Sequence, residues 1–92
     1  MKYKPMYTKR IKKQLKLLAK RGYDMNLFKS VVGMLIDGKS LPSNHRDHSL
    51  HGDRRGYRDC HIHNDWILIY KLDKNVLTLI LSETGTHSDL FD

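Results

Sequence analysis

Cysteine is nearly absent from this chain of 92 residues: Cys60 stands alone. One thiol excludes an internal disulfide and any zinc module built on paired cysteines. Acidic residues are also scarce, with 10 Asp and Glu against 17 Lys and Arg, which leaves a net charge of +7. An excess of that size on a small domain implies an anionic partner, nucleic acid or an acidic protein. No apolar run approaches the ~20 residues that span a bilayer. The opening MKYKPMYTKR lacks the apolar core of a signal peptide, so a cytoplasmic location is the expectation. Repeats, low-complexity segments and linkers are missing too. With 39% hydrophobic residues, the composition fits one small folded domain covering 1–92.

Lys2 to Met6 reads as a short edge strand, because Pro5 cannot complete a central ladder. Thr8 is placed to cap a helix in which Ile11, Leu15, Leu18 and Ala19 fall at helical spacing, and Gly22 stops it. Lys9, Arg10, Lys12, Lys13, Lys16 and Lys20 occupy the other face, with no acid between Lys9 and Arg21. A basic helix face is ordinarily just solvated; this unbroken run is read as a phosphate-facing surface. Asp24 caps a second helix with an apolar stripe of Leu27, Phe28, Val31, Val32, Leu35 and Ile36, ended by Gly38. The joint Arg21-Gly22-Tyr23 makes the two an antiparallel helical hairpin. Lys39 to Gly56 is a long polar loop bearing His45, His48 and His51. Pro42 and Gly52 argue against a helix there, and no consistent ligand set stands out, so no metal is assigned.

The stretch YRDCHIHNDWILIYKL, Tyr57 to Leu72, organises the rest. Its second half is an aromatic, β-branched run of the kind that forms a buried strand. His63-Asn64-Asp65 supplies turn chemistry, so the stretch reads as a β-hairpin. Alternation places residues 57, 59, 61 and 63 on one face and sends Cys60 to the other, where it packs. Val76 to Leu81 is a further strand, and a tail carries His87 and Phe91. The architecture is α+β: an N-terminal strand, a two-helix hairpin, then an antiparallel β-meander, with helices on one sheet face. Taken singly, the polar residues stay ambiguous. His48 reads as an exposed loop residue and His61 as either a satisfied strand histidine or a functional one. Asp65 reads as a turn residue, Trp66 as core and His87 as tail.

Three segments together carry a resemblance. They are Asp47-His48-x-Leu50-x-Gly52 running on to Gly56-Tyr57-Arg58-Asp59-x-His61, then Asp65-Trp66-Ile67-Leu68-Ile69-Tyr70-Lys71, then Thr84-Gly85-Thr86-His87-Ser88-x-Leu90-Phe91. The pattern resembles the YafQ branch of the RelE-type toxins, the toxin halves of bacterial type II toxin–antitoxin systems. It is strong over the C-terminal half and matches the helical half in layout only. His63 departs from it, standing where the family pattern has an acid.

The resemblance implies a RelE-like microbial RNase fold and an mRNA interferase that cuts message in the ribosomal A site. It implies catalytic positions at His48, His61, Asp65 and His87, with Trp66 and Phe91 near substrate. A cognate acidic antitoxin, the ribosome and mRNA are the implied partners. RNA breaks without a metal when a base takes the 2′-hydroxyl proton and an acid protonates the departing 5′-oxygen, leaving a 2′,3′-cyclic phosphate. Histidine suits both steps. His87 is read as the acid, and His48 with His61 or Asp65 as the base side. Arg58 is expected to offset developing phosphate charge. Lys9, Lys12, Lys13, Lys16 and Lys20 are expected to dock on ribosomal RNA. No cofactor is expected. The competing readings are a non-catalytic, ParE-like gyrase inhibitor on the same scaffold, and a metal- or RNA-binding module without catalysis.

Overall fold

The computed structural model describes residues 2–92. Both expected helix caps form. Thr8 accepts a hydrogen bond from the Ile11 amide at 3.1 Å and starts α1 (Lys9–Lys20). Asp24 accepts from the Asn26 amide at 2.9 Å and starts α2 (Met25–Ile36). Each cap satisfies an amide that the first turn leaves without a partner. Between the helices Gly22 takes φ +88°, a conformation that residues with a Cβ rarely adopt. Ile11 and Leu18 of α1 are buried; Ala19 and Leu17 are exposed. No helix among the described residues is long and apolar enough to cross a membrane.

The strands are β1 (Lys4–Tyr7), β2 (His48–Ser49), β3 (Arg58–His63), β4 (Trp66–Asp73) and β5 (Thr78–Thr86). They form one sheet in the order β1-β5-β4-β3-β2. β3, β4 and β5 are the expected meander, and β1 is an edge strand, added parallel to β5. Three features depart from the expectation. The polar loop contains the short strand β2, which pairs with β3 and forms the opposite edge. β5 runs to Thr86, well past Leu81. The tail is a helix, α3 (His87–Phe91), started by a reciprocal cap in which Thr86 Oγ1 accepts from the Asp89 amide and Asp89 Oδ2 accepts from the Thr86 amide.

Alternation along the strands sorts the side chains onto two faces. Cys60 and Ile62 of β3, Trp66, Leu68 and Tyr70 of β4, and Leu79 and Leu81 of β5 pack under α1 and α2. Burial pushes the Cys60 thiol well up from its ordinary value, so it stays protonated packing. Ile67 and Ile69 face the other way and meet Leu90 of α3, with Leu50, Tyr57 and Phe91 around them. A register shift between Ile69 and Tyr70 leaves Ser82 as an extra residue in β5. The Ser82 carbonyl accepts a 2.7 Å hydrogen bond from Thr8 Oγ1, which ties the start of α1 to the sheet.

Thr84 links the two layers. Its hydroxyl accepts from Trp66 Nε1 at 2.8 Å and donates to the Ile67 carbonyl at 2.7 Å. Its amide donates to Gln14 Oε1 at 2.9 Å. Thr84→Val keeps the shape and removes only the hydroxyl, leaving the indole N–H buried without an acceptor. We expect this to cost about 1–3 kcal/mol in urea unfolding. A loss below about 0.5 kcal/mol would show that the indole finds another partner.

Candidate active site

The open face of the sheet gathers three histidines from three elements. His61 lies on β3. His48, on β2, sits directly opposite Asp59 in the antiparallel register. His87 is the first residue of α3. Each strand residue reaches this face through pairing parity: Asp59 opposes Ile69 and His61 opposes Ile67, both of the open-face apolar cluster. The alternation breaks after His61, where a bulge shifts the register and pairs His63 with Trp66. His63 is therefore exposed at the mouth of the turn and does not continue the row of Asp59 and His61. The turn itself is Asn64-Asp65, with Asn64 at φ +48°, a left-handed conformation that Asn tolerates.

Backbone carbonyls fix the protonation of two of the rings. His61 Nδ1 lies 3.0 Å from the Asn64 carbonyl, and His48 Nδ1 lies 2.7 Å from the Arg46 carbonyl. A carbonyl only accepts, so Nδ1 carries the hydrogen in each. Nε2 is then the basic nitrogen of both residues. A third histidine, His45, donates from Nδ1 to the His61 carbonyl at 2.6 Å and holds the loop against β3. The His87 ring packs on Phe91, with centroids 5.0 Å apart. Asp65 Oδ1 accepts from the His87 backbone amide at 3.2 Å, which pins the hairpin turn to the start of α3. An open cleft of about 540 Å³ opens at His61 and Asp65, lined also by Asn44, Arg46, Ile62, His63 and Asn64.

Two expected substrate residues lie off the histidine face. Arg58 has the parity of Cys60 and Ile62, so it leaves the histidine face. Its guanidinium instead donates to Asp47 Oδ1 at 3.2 Å and Ser49 Oγ at 2.9 Å. Asp47 also accepts from the Tyr70 hydroxyl at 2.7 Å, so Arg58 belongs to a structural network that anchors the loop before β2. Trp66 is only 3% exposed, stacked beside Phe28 and meeting Tyr23 edge-on. It supports the hairpin turn from below and lines a second cleft with Tyr23, Leu27 and His63. Phe91 stays on the open face, with the Arg54 guanidinium 4.8 Å above its ring. The five lysines of α1, Lys9, Lys12, Lys13, Lys16 and Lys20, are all exposed.

Sequence reasoning missed Arg54. It donates to Glu83 Oε2 at 3.3 Å and to the Leu90 carbonyl at 3.0 Å. Arg10 of α1 reaches the same Glu83 at 3.2 Å. These bonds clamp the loop, β5 and α3 together, and nothing in the local pattern marks them. Asp59, which alternation places on the face of His61, was given no role. It is buried, and burial raises its carboxyl from the ordinary value while His48, His61 and His87 pull it back.

A family model described as the bacterial toxin of type II toxin–antitoxin system, YafQ, matches residues 3–92. The mRNA interferase toxin YafQ of Escherichia coli (strain K12) is 44% identical over 86 residues, covering 92% of this chain and 91% of that protein. The crystal structure of the E. coli DinJ-YafQ toxin–antitoxin complex contains a chain 41% identical, with a TM-score of 0.90 and full coverage of both chains. A metal-bound toxin from Helicobacter pylori is 37% identical, with a TM-score of 0.90 over 99% of this chain and all of that one. Among the described residues here, no three His, Cys, Asp or Glu side chains converge to hold a metal ion.

The cap of α3 sets a pH limit on the site. The backbone bond to Thr86 lowers the Asp89 carboxyl below its ordinary 3.8. A depressed folded value means that the contribution is complete above 3.8 and is lost as the pH falls through the lower folded value. Amide exchange in α3 should therefore hold steady from neutral pH to about 4 and then rise relative to the central strands. Asp89→Asn should show the faster exchange at every pH. Equal protection in that variant would remove the cap from the account.

Proposed function

The chain belongs to the YafQ family, toxins of bacterial type II toxin–antitoxin systems, and is an endoribonuclease of the mRNA interferase class; we propose that it cuts message in the ribosomal A site by metal-independent acid–base catalysis. The observation that carries this is the basic Nε2 of His61 at an open cleft, with His48 directly across from Asp59 on β2 and the His87 ring on a separate element. The 2′-hydroxyl gives its proton to Nε2 of His61 or His48, and the oxygen attacks the adjacent phosphorus. His87 protonates the departing 5′-oxygen. In-line displacement needs base and acid on opposite sides of the phosphorus, and β3 and α3 supply two separate supports. Asp65, through the His87 amide, sets the distance between them. Arg46 lines the cleft and takes over the charge-offsetting part first given to Arg58. Phe91 offers its ring to a base beside the scissile bond, and Trp66 acts on substrate only through the turn it supports.

A gyrase-directed inhibitor has no need of this acid–base set, and the non-catalytic reading is set aside. The +7 charge supports two macromolecular partners in the cytoplasm: ribosomal RNA under the α1 lysines, and an acidic antitoxin that covers the same basic surface. The toxin–antitoxin complex of the E. coli relative supports the second.

Primer extension on message from cells briefly expressing the protein tests the function as a whole. Cuts at in-frame codon positions are expected, and they should persist in vitro when weakly bound metals are chelated from intact ribosomes. Cuts without reading-frame periodicity would refute A-site action. Replacing Lys12, Lys13 and Lys16 with Gln should weaken ribosome binding and flatten its salt dependence while the fold survives. Unchanged binding at every salt concentration would sink the docking role.

His87→Ala should lose about 10²–10⁴-fold in single-turnover rate while still binding the ribosome. A substrate with a 5′-phosphorothiolate at the cleavage point provides the sharper measurement, because its sulfur leaving group scarcely needs a proton. That substrate should restore much of the rate of His87→Ala and do little for Asp65→Asn. Equal rescue of both variants would move the acid to another residue.

A further inference from the structure

Asp59 lies at the centre of the histidine array, and the scheme above makes no use of it. It is 4% exposed, on the open face of β3, with His48 across from it on β2 and His61 two residues along. Its Oδ1 is the one buried side-chain polar atom without a hydrogen-bond partner among the described residues. A carboxylate oxygen stripped of water and left unpaired weakens a fold, so its presence calls for a compensating event elsewhere in the protein's cycle. That oxygen is 4.0 Å from His61 Nε2. Nδ1 of the same ring already gives its hydrogen to the Asn64 carbonyl, so Nε2 is where a second proton arrives.

We propose that Asp59 is a positioning residue for the reaction: its buried carboxylate is the counter-charge for the imidazolium formed when His61 Nε2 takes the 2′-hydroxyl proton. This rests on the reading of His61 as a base. The proton balance is complete without Asp59 changing state. The 2′ O–H bond breaks, an N–H bond forms at Nε2, and the freed electron pair attacks phosphorus. The P–O5′ bond breaks and its oxygen takes the proton of His87. Asp59 stays ionised throughout. The orphan oxygen thus gains a positive neighbour as the transition state is approached, which stabilises that state more than the resting one.

The other charges around Asp59 fit this role. His48 from β2 and His87 from α3 act on it with the same sign as His61, and Asp47, before β2, acts against them. Glu83 of β5 is held by Arg10 and Arg54, and Asp65 is held by the His87 amide, so neither is free to replace Asp59. Arg46 lines the cleft from the loop side, where it meets phosphate.

The test compares wild type with Asp59→Asn, which keeps the shape and removes the charge. In the wild-type protein the Asp59 carboxyl ¹³C shift should step at the midpoint of the His61 ring titration followed by NMR. In Asp59→Asn the His61 midpoint should fall, the sign for losing an opposite charge 4.0 Å away. The acidic limb of the single-turnover pH profile should move down with it. The plateau rate should drop about tenfold, short of the 10²–10⁴ lost with a general base itself. Thermal stability should not fall in parallel, because a buried charge has been removed. An unmoved His61 midpoint overturns the proposal. A midpoint that moves while the cleavage profile stays fixed also overturns it, and assigns the failure to His61 as base, leaving the Asp59 contact itself standing. If Asp59→Asn does not fold, the wild-type carboxyl step decides alone: its absence overturns the pairing.

Discussion

The register of β3 against β4 is the constraint on which the open face depends. Asp59 opposes Ile69 and His61 opposes Ile67, so the two polar residues rise from an apolar floor formed by the other strand. A slip by one residue would turn Cys60 and Ile62 onto the histidine face and bury Asp59 and His61 beneath the helices. The core on the helix side makes that slip very costly, because Cys60 and Ile62 would leave their places beside Leu68, Tyr70 and Trp66 and charged groups would enter. Burial on one face therefore aims the polar groups on the other. The bulge after His61 is where this rule is released, and the released residue, His63, lies at the rim of the cleft.

The second device is the capture of loops by the strands' far ends. Three short segments carry His48, Arg54 and His87, and each is tied to the sheet by polar bonds in addition to the packing of Leu50, Leu90 and Phe91. Asp47 reaches Tyr70 and Arg58, Arg54 reaches Glu83 and the Leu90 carbonyl, and Asp65 holds the His87 amide. Isolated exposed ion pairs are worth little. Arg54 differs because its side chain is only 31% exposed, that of Glu83 only 12%, and the same guanidinium also covers Phe91. A network of this kind fixes distance and angle between elements that share little apolar surface, which is what a two-sided proton transfer demands.

How much of this was legible depends on the range of the interaction responsible. The caps at Thr8 and Asp24 act within three residues, and the sequence shows both. The buried run from Trp66 and the turn at Asn64-Asp65 are equally local. β2 is two residues long and exists only because β3 lies beside it, so its own composition carries no strand signal. α3 is five residues long, below the length at which helical periodicity can be read, and only the Thr86/Asp89 spacing hints at it. Arg58 and Trp66 are instructive because the information was present and was overridden. Their parity in the hairpin assigns both to the helix side, whereas resemblance and charge suggested substrate. Arg54 had no such clue; its partners lie 29 and 36 positions away along the chain.

Asp59 shows how the two levels of reading differ. Along the sequence it is one polar residue in an alternating strand, indistinguishable from a solvated position. In the fold it is enclosed, on a strand flanked by β2 and β4 and on the face where α3 packs. A carboxylate there gains no hydrogen bond at Oδ1, and stability alone would favour an apolar or neutral residue at this point. Folds concentrate such locally unfavourable choices where chemistry needs charge held ready in a water-poor site. The histidines around it are accessible enough to meet RNA, whereas the carboxylate beneath them is not. On the proposed mechanism that division, exposed proton carriers over a buried counter-charge, stabilises a transient positive ring without placing an anion where it would repel the phosphate backbone of the substrate.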